Sequence, residues 1–74
     1  MSKILKLNDI SDLIRKKRKK DGLAQSEAAA LCGVGTRFLS DLENGKETVR
    51  FSKVLKVLQG LGLTLEGRER GHDE

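Results

Sequence analysis

The chain reads as an all-α domain: a compact bundle of four or five short helices, with a short strand at its C-terminal end. Three observations lead there. Its 74 residues contain no proline and are rich in Lys, Leu and Ala, which favour helices. Apolar residues recur three and four apart in successive windows. Residues 25–45, QSEAAALCGVGTRFLSDLENG, then read as two short helices joined by a tight turn at Gly33.

Residues 1–7 are expected to form an arm or short strand. Lys3-Ile-Leu-Lys-Leu7 alternates poorly, and a frayed end explains it equally well. The main domain is placed at 8–62. Asn8 suits a helix N-cap, and Asp9 and Asp12 suit the positive end of the helix dipole. Ile10, Leu13 and Ile14 then mark an inward stripe. Six basic residues follow at 15–20. They point all round a helix, so several must sit in water. Asp21-Gly22 ends the helix, with Gly22 past its C-terminus.

In the next helix Ala28, Ala29 and Ala30 supply the small side chains a close helix–helix contact needs. Cys32 reads as a small core residue, and Gly33 takes the left-handed conformation of the turn. Val34 fills the corner. The second short helix, 36–44, turns Leu39 and Leu42 inward. Thr36, Arg37, Ser40 and Asp41 are left outward, short or polar, and Arg37 can bond guanine in bidentate fashion. Gly35 would let the backbone approach a groove. Asp41 repels phosphate, so it should accept from a cytosine amino group or hold Arg37. Phe38 either touches a thymine methyl or sugar beside the backbone, or packs on a neighbouring helix or Phe51.

Asn44, Lys46 and Arg50, in and after the second short helix, are candidate phosphate contacts. So is Gln25, whose amide sits at a helix N-terminus where it can also cap. Phe51, Val54, Leu55, Leu58 and Leu61 form the stripe of a further helix, weakened at Gly60 and ended by Gly62. Leu63, Thr64 and Leu65, within 63–66, alternate like a strand. Apart from Ile4-Leu5 no partner strand is visible, and an unpaired strand is costly. Pairing with a second copy is the economical answer. Residues 67–74 are expected to be a mobile tail, with His72 solvated.

Gln25-Ser26-Glu27, Ala29, Gly33-Val34, Leu39 and Leu42-Glu43-Asn44-Gly45-Lys46 resemble the lambda-repressor-like (Xre-type) helix-turn-helix proteins. Residues 34–46, the apolar helix and Leu61-Gly-Leu-Thr-Leu65 look more narrowly like small HipB-type antitoxins. The resemblance implies a transcriptional regulator binding double-stranded DNA. It implies that Arg18 pairs with Glu43 and is thereby oriented beside a DNA phosphate. It also implies that 63–66 serves a homodimer, and that a HipA-like kinase toxin is a partner, with autoregulation of a shared operon. Two departures stand out. Ala24 replaces the usual Thr or Ser cap, so Glu27 belongs to a capping box without its cap, at a cost of about 0.5–2 kcal/mol. Ala28 replaces a larger aliphatic.

Charge agrees with a polyanion partner. The net charge is +4. Residues 1–23 hold eight basic and three acidic groups, while 24–74 hold seven basic and eight acidic. A dimer would set two reading helices ~34 Å apart on a palindromic operator and repress it, with affinity strongly dependent on salt. No run of about 18 apolar residues or secretory h-region occurs, and one cysteine forms no internal disulfide, which points to the cytoplasm. One His, one Cys, no Tyr or Trp and no metal-ligand spacing argue against an enzyme, a metal or a cofactor. Two Phe are too few for an RNA-stacking platform.

Overall fold

A computed structural model describes residues 7–67 and residue 69. Four helices follow in order: α1 (Leu7–Lys20), α2 (Gln25–Cys32), α3 (Thr36–Glu43) and α4 (Phe51–Gly60). There is no fifth helix among the described residues. α2 packs on both α3 and α4, and α1 packs on α3. One aliphatic core runs through the set. Ile14, Leu39, Leu42, Val54 and Val57 are its largest fully buried side chains, with Ala28, Ala29, Cys32, Leu58 and Leu61 closing around them.

α1 buries Ile10, Ser11 and Ile14, with Leu13 half-buried beside them. Asn8 is not its cap, because the helix already includes Leu7. Instead the Asn8 side chain lies against Gly45, where a Cβ would collide with its Oδ1. The expected arm, apart from Leu7, lies outside the described residues. So does most of the expected tail, His72 included.

Ala24, the N-cap residue of α2, carries half a capping box. Glu27 Oε1 accepts from the Ala24 N–H at 2.8 Å, and alanine has no side chain to return the bond. Gly33 ends the helix at φ 72°, so its N–H reaches the Ala30 carbonyl and that of Val34 the Ala29 carbonyl. Ala28 and Ala29 are buried as expected, but Ala30 is exposed. Three consecutive residues cover most of a turn of about 3.6 residues, so they cannot all face inward.

The stripe of α4 differs from the expected one. Val54, Val57, Leu58 and Leu61 are buried, whereas Phe51 and Leu55 are 58% and 38% exposed. The core side of α4 is set by α2, which approaches at Gly60. A Cβ on Gly60 would stand 2.6 Å from Cys32 Sγ and 2.8 Å from Cys32 Cα. Gly60 therefore permits the α2–α4 contact, rather than simply weakening a helical turn. Leu55 falls to the side of the stripe so defined.

Residues 63–66 form no strand. A strand needs a ladder partner, and no described segment offers one. The Leu63 N–H is bonded instead to the Leu58 carbonyl at 2.8 Å, and Leu63 packs partly on the core.

Candidate nucleic-acid interface

α3 has two unlike faces. Leu39, Leu42 and Glu43 are buried on the inner one. On the outer one Thr36 and Arg37 are exposed, Ser40 and Asp41 are partly exposed, and Gly35 opens onto empty space. Gly35 is the extended N-cap residue of α3 at φ −76°, without a side chain to cap it.

The inner face is tied down at its C-terminal end, where a helix leaves carbonyls without intrahelical partners. α1 supplies the donors. Ser11 Oγ donates to the Leu42 carbonyl at 2.5 Å, and Arg15 Nη1 to the Glu43 carbonyl at 3.0 Å. The Glu43 carboxylate meets the Arg18 guanidinium side-on, with Nε donating to Oε2 at 2.6 Å and Nη2 to Oε1 at 2.9 Å. Arg18 Nη1 also donates to the Leu23 carbonyl at 2.8 Å. Gln25 Nε2 donates to Glu43 Oε1 at 3.2 Å. A two-point guanidinium–carboxylate bond fixes orientation as well as distance. Burial alone would raise the Glu43 pKa. The bonds from Arg18 and Gln25 and the positive charges of Arg18 and Arg15 outweigh it, and the net shift is downward. The bond to Glu43 raises Arg18 further, against the effect of its burial.

The expected Arg18–Glu43 pair is thus present, but only 11% of the Arg18 side chain is exposed. Most of that guanidinium is engaged inside the protein. Arg15 escaped sequence reading, because nothing local separates it from its five basic neighbours.

Beyond α3 lies a shallow groove of about 200 Å³, lined by Phe38, Asp41, Lys46, Thr48, Val49, Arg50 and Lys53. It brings together predicted residues from three places in the chain. Phe38 is half-buried against the core, with Lys53 Nζ 5.7 Å from its ring centroid, a cation–π distance. Lys53 was another residue missed in the sequence, as one more lysine on a polar helical face. Asp41 does not hold Arg37. Its Oδ2 lies 3.5 Å from Lys46 Nζ. Lys46 and Arg50 are exposed, as is Asn44, the C-cap residue of α3. Gln25 is turned partly inward by its bond to Glu43. Leu63, Thr64 and Leu65 stand apart from this site, beyond the end of α4.

Residues 14–67 match the Helix-turn-helix family. The chain belongs to the helix-turn-helix family. It is similar to the uncharacterized HTH-type transcriptional regulator y4mF of Sinorhizobium fredii, with 50% identity over 58 residues that span 78% of this chain and 76% of that protein. The fold is similar to that of a chain in a HipA-HipB-O2-O3 complex and one in a HipB-O4 20mer complex. Each superposes with a TM-score of 0.85 over 96% of this chain and 100% of the other, at 24% identity. α2, the turn at Gly33 and α3 lie within the matched residues and form two short helices joined by a tight turn. No helix among the described residues is long and apolar enough to cross a membrane.

Proposed function

We propose that this chain is a cytoplasmic transcriptional repressor that binds double-stranded DNA as a homodimer and reads a palindromic operator with α3. One observation carries the reading: α3 is fixed through its inner face while its outer face is left uncovered, with exposed Arg37 at its start. Thr36, Arg37, Ser40 and Asp41 choose bases, and Gly35 lets the backbone close on the groove edge. Lys46 and Arg50 hold phosphates beside the groove, assisted by Asn44 and by Phe38 against a sugar. Arg18 and Gln25 also face the backbone, but both already donate to Glu43. Their share is smaller than that of Lys46 and Arg50. Leu63, Thr64 and Leu65 join two copies.

Selection from a randomised duplex library, repeated at several salt concentrations, tests this. The protein should enrich a two-fold-symmetric site, with affinity falling steeply as salt rises. Enrichment of no sequence at any salt would overturn the reading.

A second reading is compatible with the first. A structural neighbour is HipB in complex with HipA. By that likeness this chain is an antitoxin that restrains a HipA-like kinase toxin, with DNA binding secondary. Stable co-purification with the product of an adjacent gene supports this reading. Failure of the co-expressed pair to associate counts against it.

A further inference from the structure

The shallow groove beyond α3 holds one charge of the wrong sign for a polyanion. Lys46, Arg50 and Lys53 line it, and so does Asp41. A carboxylate among three cations lowers the field that draws phosphates to them. Asp41 also does little for the fold. Its ion-pair partner, Lys46 Nζ at 3.5 Å, belongs to a side chain that is 55% exposed, and a pair that open adds little to stability.

Its placement on α3 narrows what the carboxylate can do. Asp41 follows Arg37 by one helical turn, the spacing at which an acid and a base on one helix can pair. It closes on Lys46 instead, so the Arg37 guanidinium and the Asp41 carboxylate are displayed side by side on the outer face. The Asp41 side chain keeps 28% exposure, and one lysine does not fill the acceptor sites of two carboxylate oxygens. In the major groove of a duplex such a group meets two kinds of base edge. A cytosine amino group donates to it. Guanine O6 and N7 and thymine O4 are themselves acceptors, and repel it.

We propose that Asp41 sets sequence choice by penalty: it weakens the hold of α3 on every duplex, and a cytosine amino group at one position of the right site cancels the loss. The inference rests on the DNA reading above and states how one of its base-choosing residues works. Lys46 and Arg50 attract the phosphates of any sequence alike, so they raise affinity without discrimination. Discrimination is a difference of affinities, and a repulsion felt only on wrong sites widens it as a new bond on the right site would. Asp41 supplies that repulsion at the border between the base-choosing face of α3 and the cations of the groove.

Binding of Asp41→Asn and Asp41→Ala to the selected duplex and to a scrambled duplex of the same length, measured by fluorescence anisotropy at several salt concentrations, tests the proposal. Both variants should bind the scrambled duplex about three- to tenfold more tightly at low salt, and the gain should shrink as salt rises. On the selected duplex the gain should be absent or reversed. The ratio of selected to scrambled affinity should then fall about tenfold or more, with preference for cytosine lost at one position. The alanine variant guards against a new bond from asparagine to adenine. Circular dichroism should show the helix content of the wild type in both, since Asp41 lies outside the core. Scrambled-duplex affinity that is unchanged or lower in both variants would overturn the penalty while leaving the DNA reading intact. An equal gain on both duplexes would make Asp41 a general damper and overturn its part in sequence choice. A wild type that prefers no sequence would overturn the DNA reading and the proposal with it.

Discussion

The two faces of α3 show one helix serving opposite demands. On the inner face, Glu43 is 3% exposed and receives donors from Arg18 and Gln25, while Arg15 takes its carbonyl. On the outer face, Arg37 is exposed and no side chain of the described residues is bonded to it. Donors on the inside are used up by the protein. The exposed Arg37 guanidinium on the outside is not. Positional precision of the outer face follows from the first arrangement, because a short helix of 8 residues depends on tertiary contacts such as those at its C-terminal end.

Breaking the inner face should have the largest effect. Glu43→Ala leaves the Arg18 guanidinium buried without its carboxylate, and should cost about 3–5 kcal/mol in urea denaturation. The same interaction gives stability a pH dependence. Glu43 has its folded pKa below the ordinary glutamate value of 4.5. The contribution of the ionised pair is therefore full above the ordinary value and is lost as pH falls through the depressed one. Glu43→Gln should flatten that part of the acid-unfolding curve; an unchanged curve would remove Glu43 as its source.

A second break avoids both faces. Gly60→Ala gains helix propensity of about 0.8–1 kcal/mol. Its methyl would meet the backbone of Cys32, which cannot swing aside. The clash should win, with a net loss of about 1–3 kcal/mol in thermal unfolding. DNA affinity measured well below the unfolding temperature should stay near that of the wild type. A stabilised variant would mean that α2 and α4 approach less closely than described.

The outer face should behave in reverse. Arg37→Ala should cost about 1–3 kcal/mol of binding on the selected site and relax preference at one base pair, while stability moves by no more than about 0.5 kcal/mol. Equal weakening on all sequences would make Arg37 a phosphate clamp. The smallest effect is expected at Lys46→Ala: even weakening on every duplex, with the salt slope lower by about one. Its pair with Asp41 is partly exposed, so loss of that pair should change stability by about 0–1 kcal/mol.

The helices of the motif were legible because their signals are local. Gly33 between two short apolar windows, and Leu39 three residues before Leu42, need no knowledge of the rest of the chain. Arg18 was reached by family resemblance, and the structure supplies what resemblance could not. Its guanidinium spends three nitrogens inward, and Arg15 and Ser11 finish the end of α3. Nothing in six consecutive basic residues tells which will meet a carbonyl 28 positions away.

By itself the sequence indicated the four helices that form, though it left a fifth open, together with the turn between α2 and α3, an aliphatic core and the polar set on α3. Backbone propensity, glycine at φ 72° and spacing within a few residues suffice for those. Only the tertiary structure decided that Val57 is core while Phe51 and Leu55 are exposed, that Gly60 is a contact point, and that Asp41 answers Lys46 rather than Arg37. Each of those depends on where a second element lies across space. A periodic pattern gives the face of a helix but not the neighbour that covers it.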